Sequence, residues 1–160
     1  MTIAVGSSLP DVTLHRATAD GPEAVQSKDL FAGRKVVLFA VPGAFTPTCS
    51  IKHLPGFVGK ADEIKAKGVD EIFCLASNDA FVMQAWAKSE NVGDSVTMLA
   101  DGSLNFTSAT GLELDLRERG LGMRANRYVM VVDDNKVTHL AVEGPGEFEV
   151  SSAEAVLKAL

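Results

Sequence analysis

Short apolar runs closed by turn residues alternate along this chain with stretches in which apolar positions recur at helical spacing. Val36-Val37-Leu38-Phe39-Ala40 is followed by Pro42-Gly43, and a run of that length with no polar side predicts a strand covered on both faces. Glu71 to Ala76, Thr97 to Ala100 and Tyr128 to Val132 read the same way. Between the first two, Ile51, Leu54, Val58, Ala61 and Ile64 predict one helix from Ser50 to Gly68, with Gly68 as its stop. Strand, helix, strand is the repeating unit of an α/β sheet.

A second helix is predicted from Ala80 to Ser89, capped by Asn78 or Asp79, with Phe81, Met83 and Trp86 on its apolar face. Tyr128 to Val132 and Lys136 to Val142 flank Asp133-Asp134-Asn135, a turn composition that predicts a hairpin and therefore a mixed sheet. Ser151 and Glu154 stand in capping-box relation before Ala155-Val156-Leu157, which predicts a short terminal helix. The expectation is one α/β domain over 1–160, a central mixed β-sheet flanked by helices.

Composition narrows the function. With 46% hydrophobic and 22% charged residues, the chain has enough apolar surface to fold. A net charge of -6, with no Lys/Arg cluster, opposes nucleic-acid binding. No stretch approaches the ~20 apolar residues of a membrane span, and MTIAVGSSLP lacks the basic and apolar regions of a secretory signal. A soluble, cytoplasmic protein is expected. Two cysteines, Cys49 and Cys74, without a CxxC or a Cys/His cluster, argue against a disulfide scaffold or a structural metal site. No metal and no cofactor are expected.

Candidate chemistry centres on Val41-Pro42-Gly43-Ala44-Phe45-Thr46-Pro47-Thr48-Cys49, which leads from a buried strand into a helix. A thiolate in a helix's first turn is favoured by unpaired amides and the helix dipole. An ordinary thiol is only a few per cent ionised at neutral pH, and making one mostly thiolate takes ~2.5 pKa units, roughly 3.4 kcal/mol. A helix terminus supplies at most ~2 kcal/mol, so a cation or further donors are required. The Thr46 and Thr48 hydroxyls are candidate donors, and His53, Arg124 and Arg127 candidate cations. His53 follows Cys49 by one helical turn, but Pro55 distorts that helix, and a structural or surface histidine is the commoner outcome. On position alone, Cys49 also fits a buried small hydrophobe.

Val41-Pro-Gly-Ala-Phe-Thr-Pro-Thr-Cys49-Ser, Lys52-His-Leu-Pro-Gly-Phe57, Ser77-Asn-Asp-Ala-Phe-Val-Met83, Leu99-Ala-Asp-Gly102, Gly111-Leu-Glu-Leu-Asp115 and Gly120-Leu-Gly122 through Arg127 together resemble the peroxiredoxin family. The likeness is strongest to its type II, peroxiredoxin-five-like branch of plant and bacterial members. It implies a thioredoxin-like fold with peroxiredoxin N-terminal additions. It also implies a thiol peroxidase that reduces hydrogen peroxide and organic hydroperoxides through a Cys49 sulfenic acid. Thr46 stands where a thioredoxin CxxC has its first cysteine.

By the same resemblance Pro42 shields the thiolate, Thr46 hydrogen-bonds thiolate and peroxide, and Arg127 supplies the cation, leaving Arg124 as a solvated surface charge. The amides of Thr48 and Cys49 complete an oxyanion-like pocket, walled by Phe45, Leu116 and Leu121. Cys74 lies at the spacing where plant-type members carry a second cysteine and is a possible resolving residue, although a mid-strand position suits an inert thiol equally. Val150-Ser151-Ser152 lacks the resolving cysteine of animal members, which leaves glutaredoxin with glutathione, or thioredoxin, as the expected reductant. A homodimer is also implied. The alternative reading is a peroxide sensor or redox relay using the same cysteine.

Overall fold

A computed structural model describes residues 1–160. Along the chain lie β1 (Thr13–Thr18), β2 (Gly21–Gln26), α1 (Ser27–Phe31), β3 (Lys35–Ala40), a π-helical turn (Cys49–His53), α2 (Leu54–Gly59), α3 (Ala61–Lys65) and β4 (Glu71–Ala76). There follow α4 (Ala80–Ser89), β5 (Thr97–Ala100), α5 (Asn105–Thr110), β6 (Glu113–Leu116), a 3-10 turn (Arg117–Arg119), β7 (Gly122–Ala125), β8 (Tyr128–Asp133), β9 (Lys136–Val142) and α6 (Ala153–Ala159).

The apolar runs form the centre of a seven-stranded sheet in the order β2-β1-β5-β4-β3-β8-β9. β3, β4 and β5 are parallel, whereas β8 is antiparallel to β3, so the sheet is mixed as the hairpin predicted. A strand without a polar side must be covered twice. Val37 and Phe39 of β3 meet a layer built from α2, α3, α4 and α6, while Val36 and Leu38 meet Phe31 of α1 and Phe106 of α5. The β8–β9 hairpin closes through Asp134 and Asn135, both at positive φ (48° and 65°), the backbone a two-residue hairpin needs.

The single helix expected from Ser50 to Gly68 is in fact three pieces. Pro55 has no N–H for the Ile51 carbonyl, and a proline ring crowds that position. The chain widens there into a π turn in which Leu54 N–H donates to the Cys49 carbonyl. Lys60, at φ -110°, then separates α2 from α3. The inward face shifts accordingly: Ile51 is 71% exposed, while Phe57 and His53 are fully buried. Phe81, placed on an apolar face from the sequence, is likewise 71% exposed.

Two polar residues take different roles from their neighbours. Asp79 caps α4 by accepting from Val82 N–H at 2.9 Å, which releases Asn78 to accept from Ala44 N–H at 2.8 Å. Ser152, not Ser151, caps α6, accepting from Ala155 N–H at 3.1 Å. Ser151 is buried and turns elsewhere.

Candidate active site

The site loop begins where the β3 ladder ends, with Val41 N–H donating to the Leu75 carbonyl at 3.0 Å. The next residues turn tightly. The Gly43 carbonyl accepts from the Thr46 hydroxyl at 2.7 Å, and Phe45 sits at φ 65°. Arg124 packs closely over Gly43: a Cβ there would lie 2.5 Å from Arg124 Nη1 and would push the end of that side chain aside. Residues 47 and 48 are already helical, which suits proline at the first position of a helix. Cys49 therefore lies in the first turn, as expected, and it is fully buried.

Arg127 stands just before β8 and is 9% exposed. Its Nη2 donates to Cys49 Sγ at 3.0 Å, and its Nη1 donates to His53 Nδ1 at 2.8 Å. Because a guanidinium only donates, Nδ1 must carry the lone pair and Nε2 the proton. That proton is given to the Ser151 carbonyl at 2.9 Å. Burial, and then the charge of Arg127, lower the His53 pKa to about 3, against the opposing pull of the Ser151 carbonyl. The imidazole is thus neutral at physiological pH.

Of the readings open for His53, this geometry removes the surface residue and the cation and leaves a buried, neutral partner of Arg127. A neutral acceptor orients Arg127 without cancelling its charge. No carboxylate forms a salt bridge with Arg127, so the sulfur is the anion-capable partner left to it. A charge-assisted hydrogen bond of this kind contributes roughly 1.5–3 kcal/mol. Phe39, Phe57 and Phe148 surround the imidazole with centroids 4.9, 5.6 and 4.9 Å away. They keep water from competing for these bonds.

A cleft of about 310 Å³ opens beside this cluster. Pro42, Thr46, Thr48, Leu116, Leu121 and Arg127 all line it, as the sequence reading supposed. Pro47 also lines it, and Leu114, Arg119, Asn126 and the segment Gly144 to Glu147, which were not foreseen, complete it. Leu114 and Leu116 alternate along β6, which pairs only with β7, so this ribbon gives its apolar side to the cleft. Phe45 does not belong to the lining. Its positive φ turns the loop so that the ring stands 54% exposed.

Two further expectations change. Arg124 is not a solvated charge: its Nε donates to the Leu121 carbonyl at 2.7 Å and its Nη1 to the Pro42 carbonyl at 3.1 Å, fastening the cleft wall to the site loop. The Thr46 hydroxyl spends its proton on Gly43, not on the sulfur. Its oxygen lone pairs remain to accept from a hydroperoxide.

Cys74 is opposite Phe39 in the β3–β4 ladder and packs in the same layer as Cys49. Both thiols are free. Burial pushes the Cys74 pKa well above its ordinary value, with the nearby Cys49 adding to the rise and Arg127 opposing it.

The comparisons agree with this picture. The Redoxin family model matches residues 4–157. Peroxiredoxin-2B of Arabidopsis thaliana is 53% identical over 159 residues, covering 99% of this chain and 98% of that protein. The chloroplastic peroxiredoxin-2E-2 of Oryza sativa subsp. japonica is 56% identical over 164 residues, 99% of this chain and 73% of that protein. Reduced Prx3 of Vibrio vulnificus, crystallised in complex with hydrogen peroxide, superposes with a TM-score of 0.94 at 52% identity over 99% of both chains. The fold is accordingly thioredoxin-like, with a mixed sheet flanked by helices. The chain belongs to the peroxiredoxin family, in its type II, peroxiredoxin-five-like branch, and is a thiol-dependent peroxidase.

Proposed function

We propose that Cys49 is the peroxidatic nucleophile, with Arg127, Thr46 and Pro42 as its partners, and that the oxidised enzyme is recycled by an external thiol. The observation that carries this reading is the 3.0 Å hydrogen bond from Arg127 Nη2 to Cys49 Sγ. The thiolate attacks the terminal oxygen of a hydroperoxide, the O–O bond breaks, and the remaining oxygen leaves as water or an alcohol. Arg127 stabilises the thiolate and then the charge growing on the leaving oxygen. Thr46 accepts from the peroxide O–H, and the first-turn amides of Thr48 and Cys49 face the same anion. The apolar leucines of the cleft suit organic hydroperoxides as well as hydrogen peroxide, the molecule bound in the Vibrio vulnificus structure.

Cys49 becomes a sulfenic acid, which a second thiol converts to a disulfide with loss of water. Glutaredoxin with glutathione, or thioredoxin, fills that role better than Cys74, because a fully buried thiol with a raised pKa is a poor nucleophile. Two unpaired cysteines suit a reducing compartment such as the cytoplasm. A homodimer would cover Phe45, Ile51 and Phe81, which are 54–71% exposed. Phe45 and Phe81 belong to neighbouring segments, since Ala44 is bonded to Asn78 just before α4.

Turnover of hydrogen peroxide and of an organic hydroperoxide by wild type, Cys49→Ser and Cys74→Ser, each with glutaredoxin and thioredoxin systems, tests the reading. Cys49→Ser should lose all turnover, while Cys74→Ser should keep it with the glutaredoxin system. Loss of turnover in folded Cys74→Ser with every external reductant would show that Cys74 resolves the sulfenic acid.

A further inference from the structure

Glu143 directly follows β9 and is 5% exposed, yet it forms no salt bridge. Its Oε2 accepts from the backbone N–H groups of Glu149, Val150 and Ser151 at 2.8, 2.9 and 2.8 Å, and from the Ser151 hydroxyl at 2.6 Å. Its Oε1 is buried without a partner. A buried carboxylate with no cation is costly, and an unpaired buried oxygen adds to the cost. The carboxylate gathers a segment, 144–150, that contains no helix or strand.

That segment is attached to the active site at several points. Glu143 N–H donates to the Arg127 carbonyl at 2.9 Å. The Ser151 carbonyl receives the His53 Nε2 proton at 2.9 Å. The Phe148 ring lies 4.9 Å from the imidazole and 5.9 Å from Arg127 Cζ. Ser151 can fix the His53 tautomer only while its carbonyl is held in place, and three of the four bonds to Oε2 come from Ser151 and the residue before it.

We infer that Glu143 is a positioning residue for catalysis, acting through Ser151 and His53 to aim Arg127 at the Cys49 sulfur. The inference rests on Cys49 being the peroxidatic thiol, but it concerns a relay that can be read without peroxide. When Glu143 is removed the strap loosens, the imidazole loses its single tautomer, and Arg127 loses the acceptor that holds its second nitrogen.

The test uses the full chain as wild type, Glu143→Ala, Glu143→Gln and Ser151→Ala. Three readouts are taken: the nitrogen-15 shifts of the His53 ring, the rate of Cys49 alkylation by iodoacetamide at neutral pH, and the rate of reaction with hydrogen peroxide. Wild type should show the Nε2-protonated tautomer alone. Glu143→Ala should show a tautomer mixture and react about tenfold more slowly with both reagents, the loss expected from one weakened charged hydrogen bond. Glu143→Gln, whose amide oxygen can take the place of Oε2, should stay within about twofold of wild type. A folded Glu143→Ala with the wild-type tautomer and rates overturns the inference, as does a Glu143→Gln as slow as Glu143→Ala. If Glu143→Ala does not fold, Ser151→Ala decides, because it removes one donor and keeps the backbone. A roughly threefold loss with tautomer mixing supports the relay, and no change overturns it. Fast alkylation of Cys49 in a wild type that consumes no peroxide would sink the peroxidase reading and leave the relay standing.

Discussion

Cys49 and Cys74 are both without exposed surface and pack in one layer of the core, but they are placed in opposite chemical situations. Cys49 lies at the start of a helix and receives an N–H from Arg127. Cys74 lies in mid-strand beside Phe39, where burial suppresses its ionisation. Depth alone therefore does not set the electrostatic surroundings of a thiol. What sets them is whether positive charge and unpaired donors converge on the sulfur.

The largest expected effect comes from breaking the forked donation that Cys49 receives and Cys74 lacks. Arg127→Lys keeps a charge but cannot donate to Cys49 and His53 at once from a planar fork. Its rate with hydrogen peroxide, measured by stopped flow, should fall on the order of 10²-fold, as for loss of one transition-state donor. A fall under about threefold would mean that charge alone distinguishes the two thiols.

A medium effect, on stability, tests the neutral histidine that aims Arg127. His53 titrates near 3 in the folded protein and at its ordinary 6.5 when unfolded. Between those values the unfolded chain binds a proton that the folded chain refuses, so stability is complete above the upper value and is lost as pH falls. The slope approaches about 1.4 kcal/mol per pH unit. His53→Gln has no such proton. Urea unfolding should show its stability relative to wild type improving by about 2.5 kcal/mol between neutral pH and pH near 4.5. A constant difference would mean that His53 is protonated in place.

The smallest effect sharpens the comparison at the rim. Arg124→Ala frees the Pro42 carbonyl without touching the sulfur. Peroxide turnover should fall only about twofold to threefold, whereas alkylation of Cys74 in the folded protein should remain undetectable. A loss as large as that of Arg127→Lys would make Arg124 a second cation for the thiolate.

Much of the centre of the fold was legible because its strands are unbroken apolar runs. β1 and β2 were not, since Thr13 to Gln26 is largely polar and half-exposed at the sheet edge. β6 and β7 escaped because their leucines serve a cleft and not the core. In the site, Cys49 and Arg127 were legible from local position and resemblance. His53 was placed near Cys49 but as a candidate cation, Ser151 was read as a helix cap, and Glu143 was not singled out, because the roles of polar residues stay hidden when their partners lie far away in the chain. His53 and Arg127 are 74 residues apart, and His53 and Ser151 are 98 apart.

The turn that carries Cys49 has a consequence for timing. It is bracketed by Pro47 and Pro55, which supply no amide, and it passes through a π-helical step between them. On the proposed reading of Cys49 as the peroxidatic thiol, a protein thiol cannot touch its fully buried sulfur, so recycling by such a partner requires this turn to unwind. A second peroxide, being small, does not have to wait for a docking partner. On that reading the opening rate of a few residues would set the competition between reduction of the sulfenic acid and its irreversible over-oxidation, and with it the peroxide concentration at which protection gives way to self-inactivation.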